Sequence, residues 1–197
     1  MLNFLKIIGL TLLIGFFYYI NNFSEDKKYT KIKEISKEGF SPLKEVDQTN
    51  FCQQFIDKGY YYKIWSDTKP QINETHIFCG EINSRGKPTG FHSKIDGKIP
   101  ETINVLETEN KNKFGVYTAK IEVYHIKNKI FKNKFSSIFP DNLSKKEVER
   151  AILNAWENKY FYKESQFKGE SGLGFEIWGY TYKGENKINT AYPIYKK

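Results

Sequence analysis

Three of the 197 residues are histidines: His76, His92 and His125. Imidazole is the side chain whose ordinary pKa lies nearest neutral pH, so two in one cleft can serve one reaction as base and acid. His76 and His92 stand 16 residues apart, on either side of Ser84-Arg85-Gly86-Lys87-Pro88. Gly and Pro mark that stretch as a turn, and a hairpin folded there brings both histidines into one place. Two unconnected surface or capping histidines satisfy the same spacing, which leaves both readings open. His125 continues an apolar strand face and reads as a core histidine.

Other chemistries find less support. There is no Gly-x-Ser-x-Gly nucleophile elbow and no phosphate-binding P-loop. Gly172-Leu173-Gly174 is too short to cradle a dinucleotide, and the carboxylates form no recognisable pair for glycoside hydrolysis. Cys-x-x-Cys pairs and Cys/His clusters are absent, which argues against a zinc site. Cys52 and Cys79 make an even count that permits one disulfide in an oxidising compartment. They also fit two small buried hydrophobes, and the count alone leans that way.

The elements that must position these residues follow from pattern. Phe51, Cys52, Phe55 and Ile56 fall at helical spacing within 50–58, and 60–65 is strand-like. His76–Asn83 and Thr89–Lys94 are short alternating runs around the turn. Residues 116–126 alternate, with Tyr117, Ala119, Ile121, Val123 and His125 on one face. The strongest helix is 145–158. Ser144 and Glu147 form a capping box, and Val148, Ala151, Ile152, Ala155 and Trp156 make one apolar stripe. Residues 175–182 and 188–195 are two further strands. Strands on both sides of a helix, with short connections, predict an α+β fold of antiparallel sheets with flanking helices.

Size and charge bound what such a fold can do. After the first residues about 170 remain, one domain of ordinary size. Aromatic residues make up 17%, too many for a disordered chain. Lys+Arg 31 against Asp+Glu 23 gives +8, and only Arg85 and Arg150 are arginines. Such a balance favours polyanions, chiefly nucleic acid or an anionic membrane, unless it serves solubility alone. Lys6 precedes the apolar run 7–20, which as a helix spans roughly 21 Å against a hydrocarbon core of roughly 30 Å. Residues 1–24 therefore read as a signal peptide or, since no small-x-small cleavage site follows, an uncleaved membrane anchor. Positive charge before the run puts the rest outside, secreted or periplasmic, or anchored to the inner membrane. Residues 25–48 read as linker and 49–197 as the folded domain.

The residues themselves resemble a known family. His76-Ile77-Phe78-Cys79-Gly80-Glu81-Ile82-Asn83 is similar to the His-x-x-x-Gly-Glu segment of bacterial EndoU ribonucleases. Gly90-Phe91-His92-Ser93 is similar to that family's Gly-[aromatic]-His-Ser segment. Lys134-Phe135-Ser136-Ser137-Ile138-Phe139-Pro140-Asp141 and the close Thr190-Ala191-Tyr192-Pro193 resemble two further blocks, in the right order.

The resemblance implies an EndoU-like fold and an endoribonuclease that is metal-independent or weakly metal-stimulated, with no cofactor. It implies cleavage 3′ of pyrimidines, typically uridine, to a 2′,3′-cyclic phosphate and a 5′-hydroxyl. Carried over by position, His76 and His92 are the acid–base pair, with His92 as base. A lysine stabilises the phosphate: Lys134 by best match, Lys132 as runner-up. Thr190 and Tyr192 read the base by hydroxyl and stacked ring, and Gly90 and Ser93 shape the phosphate pocket. The partners implied are RNA and, for a toxin, a cognate immunity protein. Two other functions compete: a catalytically silent RNA-binding module, and a lysine-rich membrane-anchored envelope protein. Both histidines together with Lys134, Thr190 and Tyr192 argue against the first, and the four ordered blocks against the second.

Overall fold

The computed structural model describes residues 51–182 and 185–197. The apolar segment 1–24 and the linker 25–48 lie outside these described residues. In chain order the elements are α1 (Gln53–Lys58), β1 (Gln71–Ile72), a π-helical turn (Thr75–Cys79), β2 (Glu81–Ile82), β3 (Pro88–Thr89) and β4 (Ile103–Thr108). Then follow β5 (Tyr117–His125), β6 (Ile130–Ile138), α2 (Lys145–Glu157), β7 (Lys159–Lys163), β8 (Gln166–Glu170), β9 (Glu176–Thr181) and β10 (Lys187–Pro193). The fold is α+β, as the alternation of patterns predicts.

Two sheets dominate. One has the order β1-β10-β9-β8-β7 and the other β4-β5-β6, with β2-β3 a separate hairpin. Every pairing is antiparallel except β1 with β10. In β5, Tyr117, Ala119, Ile121 and Val123 point inward and the intervening residues are half-buried, which is the predicted alternation. The helix α2 is capped as predicted: Ser144 Oγ accepts from the Glu147 amide, and the Glu147 carboxylate accepts from the Ser144 amide. Its buried Val148, Ala151, Ile152 and Ala155 lie on the five-stranded sheet. Gly169 of β8 permits that approach, since a Cβ there would fall 2.0 Å from the Ala155 carbonyl oxygen.

Burial divides into two clusters. The larger joins α1, α2, the π-helical turn and the five-stranded sheet through Phe55, Ile77, Phe78, Phe139, Ile152, Phe167 and Ile177, among others. The smaller joins Phe91 to the three-stranded sheet through Ile103, Tyr117, Ala119, Ile121, Val123 and Ile138. Each fully buried Ile or Phe is worth roughly 1.5–3 kcal/mol of transfer free energy.

Four expectations need correction. Cys52 and Cys79 are bridged, across Cα atoms 5.5 Å apart, because α1 lies against the π-helical turn. His76–Cys79 is helical rather than extended, and every residue from Thr75 to Cys79 is buried. The run 60–65 is not a strand: the hydroxyl of Thr75 takes the place of a partner strand, accepting from the Ile64 amide and donating to the Tyr62 carbonyl. His125 is half-buried at the end of β5, where its Nδ1 accepts from the Asn128 amide at 3.2 Å.

Candidate active site

The chain segments that carry His76 and His92 are laid on each other by backbone. Gly90 and Phe91 both have positive φ, 73° and 55°. A Cβ at Gly90 would fall 2.3 Å from the His76 carbonyl oxygen, so only glycine lets the loop lie on the turn. The Phe91 amide then donates to that oxygen at 2.8 Å, and the His92 amide to the Ile77 carbonyl at 2.7 Å. The two imidazole centroids end 5.8 Å apart.

Each ring is held through Nδ1. His76 Nδ1 is 2.9 Å from Glu81 Oε1. Burial pushes the Glu81 carboxyl up, but the hydrogen bond to His76 and the charges of His76 and Lys63 outweigh it and hold the group below its usual range. His92 Nδ1 is 3.0 Å from the Ser137 carbonyl oxygen and 3.1 Å from Ser136 Oγ. A carbonyl can only accept, so Nδ1 carries the proton and Nε2 presents a lone pair. Burial pushes His92 well below its ordinary value of 6.5, and the charges of Lys134 and His76 push the same way. His92 is thus a neutral imidazole at neutral pH.

Lys134 comes from β6. Inward-facing residues at period two on that strand each donate to the hairpin: Lys132 Nζ to the Gly86 carbonyl at 2.8 Å, Lys134 Nζ to the Gly90 carbonyl at 2.6 Å, Ser136 Oγ to the Phe91 carbonyl at 2.5 Å. Lys134 Nζ also donates to Ser136 Oγ at 3.0 Å, which links it to His92. Burial lowers the Lys134 ammonium to about 8. Lys132, two residues earlier on the strand, reaches a different carbonyl, that of Gly86.

The remaining expected residues divide. Tyr192 on β10 stacks on His92, with centroids 5.2 Å apart and planes 29° apart. Burial and the Tyr180 phenol push its hydroxyl up to about 12, so it stays protonated. Thr190 lies just past a register shift in β10, and its buried hydroxyl has no partner among the described residues. Ser93 is buried and its hydroxyl donates to the Lys94 carbonyl at 2.9 Å. Gly90 contributes its carbonyl to Lys134. The structure brings His76, His92, Lys134 and Tyr192 together, while the Ser93 hydroxyl is spent on backbone. Glu81 and Ser136 join the site without having been assigned a role from sequence. A carboxylate five residues past one histidine, and a serine two past the lysine on an alternating strand, were the signals available.

The arrangement offers a neutral base, a carboxylate-bound second imidazole and a buried cation beside them, a set suited to proton transfer at a phosphodiester. Comparison with known proteins agrees. The chain is 31% identical over 118 residues to a protein of Bacillus cereus named "Toxin", a match covering 60% of this chain and 21% of that protein. The aligned region thus spans about a fifth of the relative's length. No solved structure matches significantly. The bacterial EndoU nuclease family model matches residues 70–195, most of the described chain and every residue of the site, and the chain belongs to that family.

Proposed function

We propose that this chain is an endoribonuclease that cuts RNA 3′ of uridine through the substrate's own 2′-hydroxyl, and that it acts as a toxin. His92 Nε2 takes the 2′-hydroxyl proton, the 2′-oxygen attacks the adjacent phosphorus, and the bond to the 5′-oxygen breaks. His76 protonates that leaving oxygen, with Glu81 stabilising the positive charge the ring carries beforehand. The Lys134 ammonium neutralises charge gathering on the phosphoryl oxygens. The products are a 2′,3′-cyclic phosphate and a 5′-hydroxyl. Thr190 offers its unpartnered hydroxyl to the uracil edge, and Tyr192 its ring to the base face. The observation that carries this reading is the placement of one neutral and one carboxylate-paired imidazole 5.8 Å apart beside a buried lysine. A toxin of this kind requires a cognate immunity protein in the producing cell, and residues 1–24 supply the export signal or anchor.

The test is digestion of a uridine-containing oligonucleotide by the purified chain, with products read by mass. A cyclic phosphate, one water lighter than the linear phosphate, supports the mechanism; 5′-phosphate ends refute it. Lys134→Ala is expected to lower turnover by about 10²-fold, the loss typical of one transition-state charge partner. Lys132→Ala should stay within a few fold on a dinucleotide, and the reverse order would transfer the role to Lys132.

The pH profile follows from the same groups. Lys134 acts charged, its ammonium lowered to about 8, and His76 acts protonated, so kcat/KM should fall on the alkaline side as either proton is lost, no later than about 8. His92 acts neutral and is depressed, so the acid limb should lie below its ordinary 6.5. Lys134→Arg should leave the acid limb in place and move the alkaline limb upward only as far as the His76 proton allows. A wild-type profile flat to about pH 10 would show that neither the Lys134 charge nor the His76 proton is required.

A further inference from the structure

We infer a second nucleotide subsite, reached from the cleavage site along the lysines of β6 and ending in a cleft at the tip of the β2–β3 hairpin. The inference rests on the reading of the first site as an RNA-cleaving centre. Lys134 and Lys132 are two residues apart on one strand face, a separation of about 6.7 Å, comparable to one nucleotide step in an extended strand. Both ammonium groups are balanced only by carbonyl or hydroxyl oxygens. Among the described residues, neither has a carboxylate within 4.0 Å, and neither do Arg85, Lys87, Lys127 or Lys129 in the adjoining turns. Several other lysines of the domain are ion-paired, among them Lys63 with Glu81, Lys94 and Lys111 with Asp141, and Lys145 with Glu74 and Glu149. Cations held by neutral oxygens accept a phosphate without first giving up an ion pair, and a groove lined with them tracks a nucleic-acid backbone.

The row leads to a cleft of about 380 Å³ lined by Tyr60, Asn83, Gly86, His125 and Lys127, among others. Gly86 belongs to both features, since its carbonyl holds Lys132 and it carries no side chain into the opening. Tyr60 is 58% exposed and offers a stacking face. Asn83 spends its side-chain oxygen on the Arg85 and Lys87 amides, which leaves its amide NH₂ for a base edge. His125 spends Nδ1 on the Asn128 amide, which leaves Nε2. Lys127 adds a charge. An aromatic face, two polar edges and a cation in a space of small-ligand size fit one unpaired nucleotide of single-stranded RNA flanking the scissile uridine. Lys132 and His125, which the cleavage step does not use, acquire a role in substrate binding.

The experiment compares a uridine dinucleotide with hexanucleotides extended on the 5′ or the 3′ side. Wild type is expected to show a lower KM for one extension than for the dinucleotide. Lys132→Met and Tyr60→Ala should each raise KM for that hexanucleotide about 10-fold, the loss of one phosphate contact or one stack, and change dinucleotide kcat/KM by no more than a few fold. Lys132→Met should also reduce the salt dependence of binding by about 0.7 in log–log slope, and Lys132→Arg should restore it. The exposed Lys127→Met gives the same test with no risk to folding. Equal losses on both substrates, or a hexanucleotide KM that none of the variants moves, would overturn the subsite and leave the cleavage reading standing. A wild type that cuts neither substrate would overturn the cleavage reading. In that case the subsite falls too if a hexanucleotide with 2′-deoxyuridine binds wild type and Lys132→Met equally.

Discussion

His92→Ala is expected to lower RNA cleavage by about 10²–10⁴-fold, the contribution typical of a positioned general base, while the fold survives. The proposed base role rests on its tautomer: Nδ1–H donates a hydrogen bond to the Ser137 carbonyl, and burial keeps Nε2 unprotonated at neutral pH. His76→Ala should cost a similar factor, because the 5′-oxygen then leaves without a proton donor. A thermal melt near wild type is needed for each variant, since both rings are nearly enclosed. Cleavage within a few fold of wild type in either folded variant would dismantle the pair. Glu81→Gln provides a graded control. It keeps the hydrogen bond to His76 Nδ1 but removes the carboxylate charge, so it should lower kcat more than it changes KM.

Substituting 2′-deoxyuridine at the cleaved position is expected to abolish cutting altogether, because the nucleophile is then absent from the substrate. Binding should persist through phosphate and base contacts, so the deoxy oligonucleotide should act as a competitive inhibitor. DNA should be spared for the same reason. A chelator should leave activity at least in part, since the mechanism asks no metal to activate water. Cleavage of the deoxy substrate at a comparable rate would refute 2′-hydroxyl attack and transfer the reaction to a hydrolytic class.

Legibility from sequence varied with how local the signal was. Helix α2 was readable almost to the residue, because its cap and its apolar stripe both lie within the segment. Strand β5 was readable from alternation, because only one of its faces is buried. The turn carrying His76 was not: five successive buried residues leave no period to read. Strands β7 and β8 escaped notice because β7 is largely exposed and β8 depends on Gly169 lying against α2. The disulfide was unreadable for another reason, since two cysteines carry no information about which elements pack together. At the site, the turn between the histidines permitted a meeting of the two rings without requiring it, and resemblance supplied the pairing together with Lys134 and Tyr192. The second layer, Glu81 and Ser136, depends on tertiary contacts that spacing does not encode.

The bridge between Cys52 and Cys79 encloses His76 within a covalent ring of the chain. The denatured ensemble is therefore less free than an open chain of the same length. For a closure of 27 residues, the chain-entropy account puts the lost disorder at roughly 3–4 kcal/mol. A compartment that keeps thiols reduced would return that freedom to the unfolded state and thin the folded population. Both sulfur-bearing residues are fully buried, so a reductant gains access only as the structure opens. The working lifetime of the enzyme after it meets a reducing medium should then be set by how fast this domain breathes.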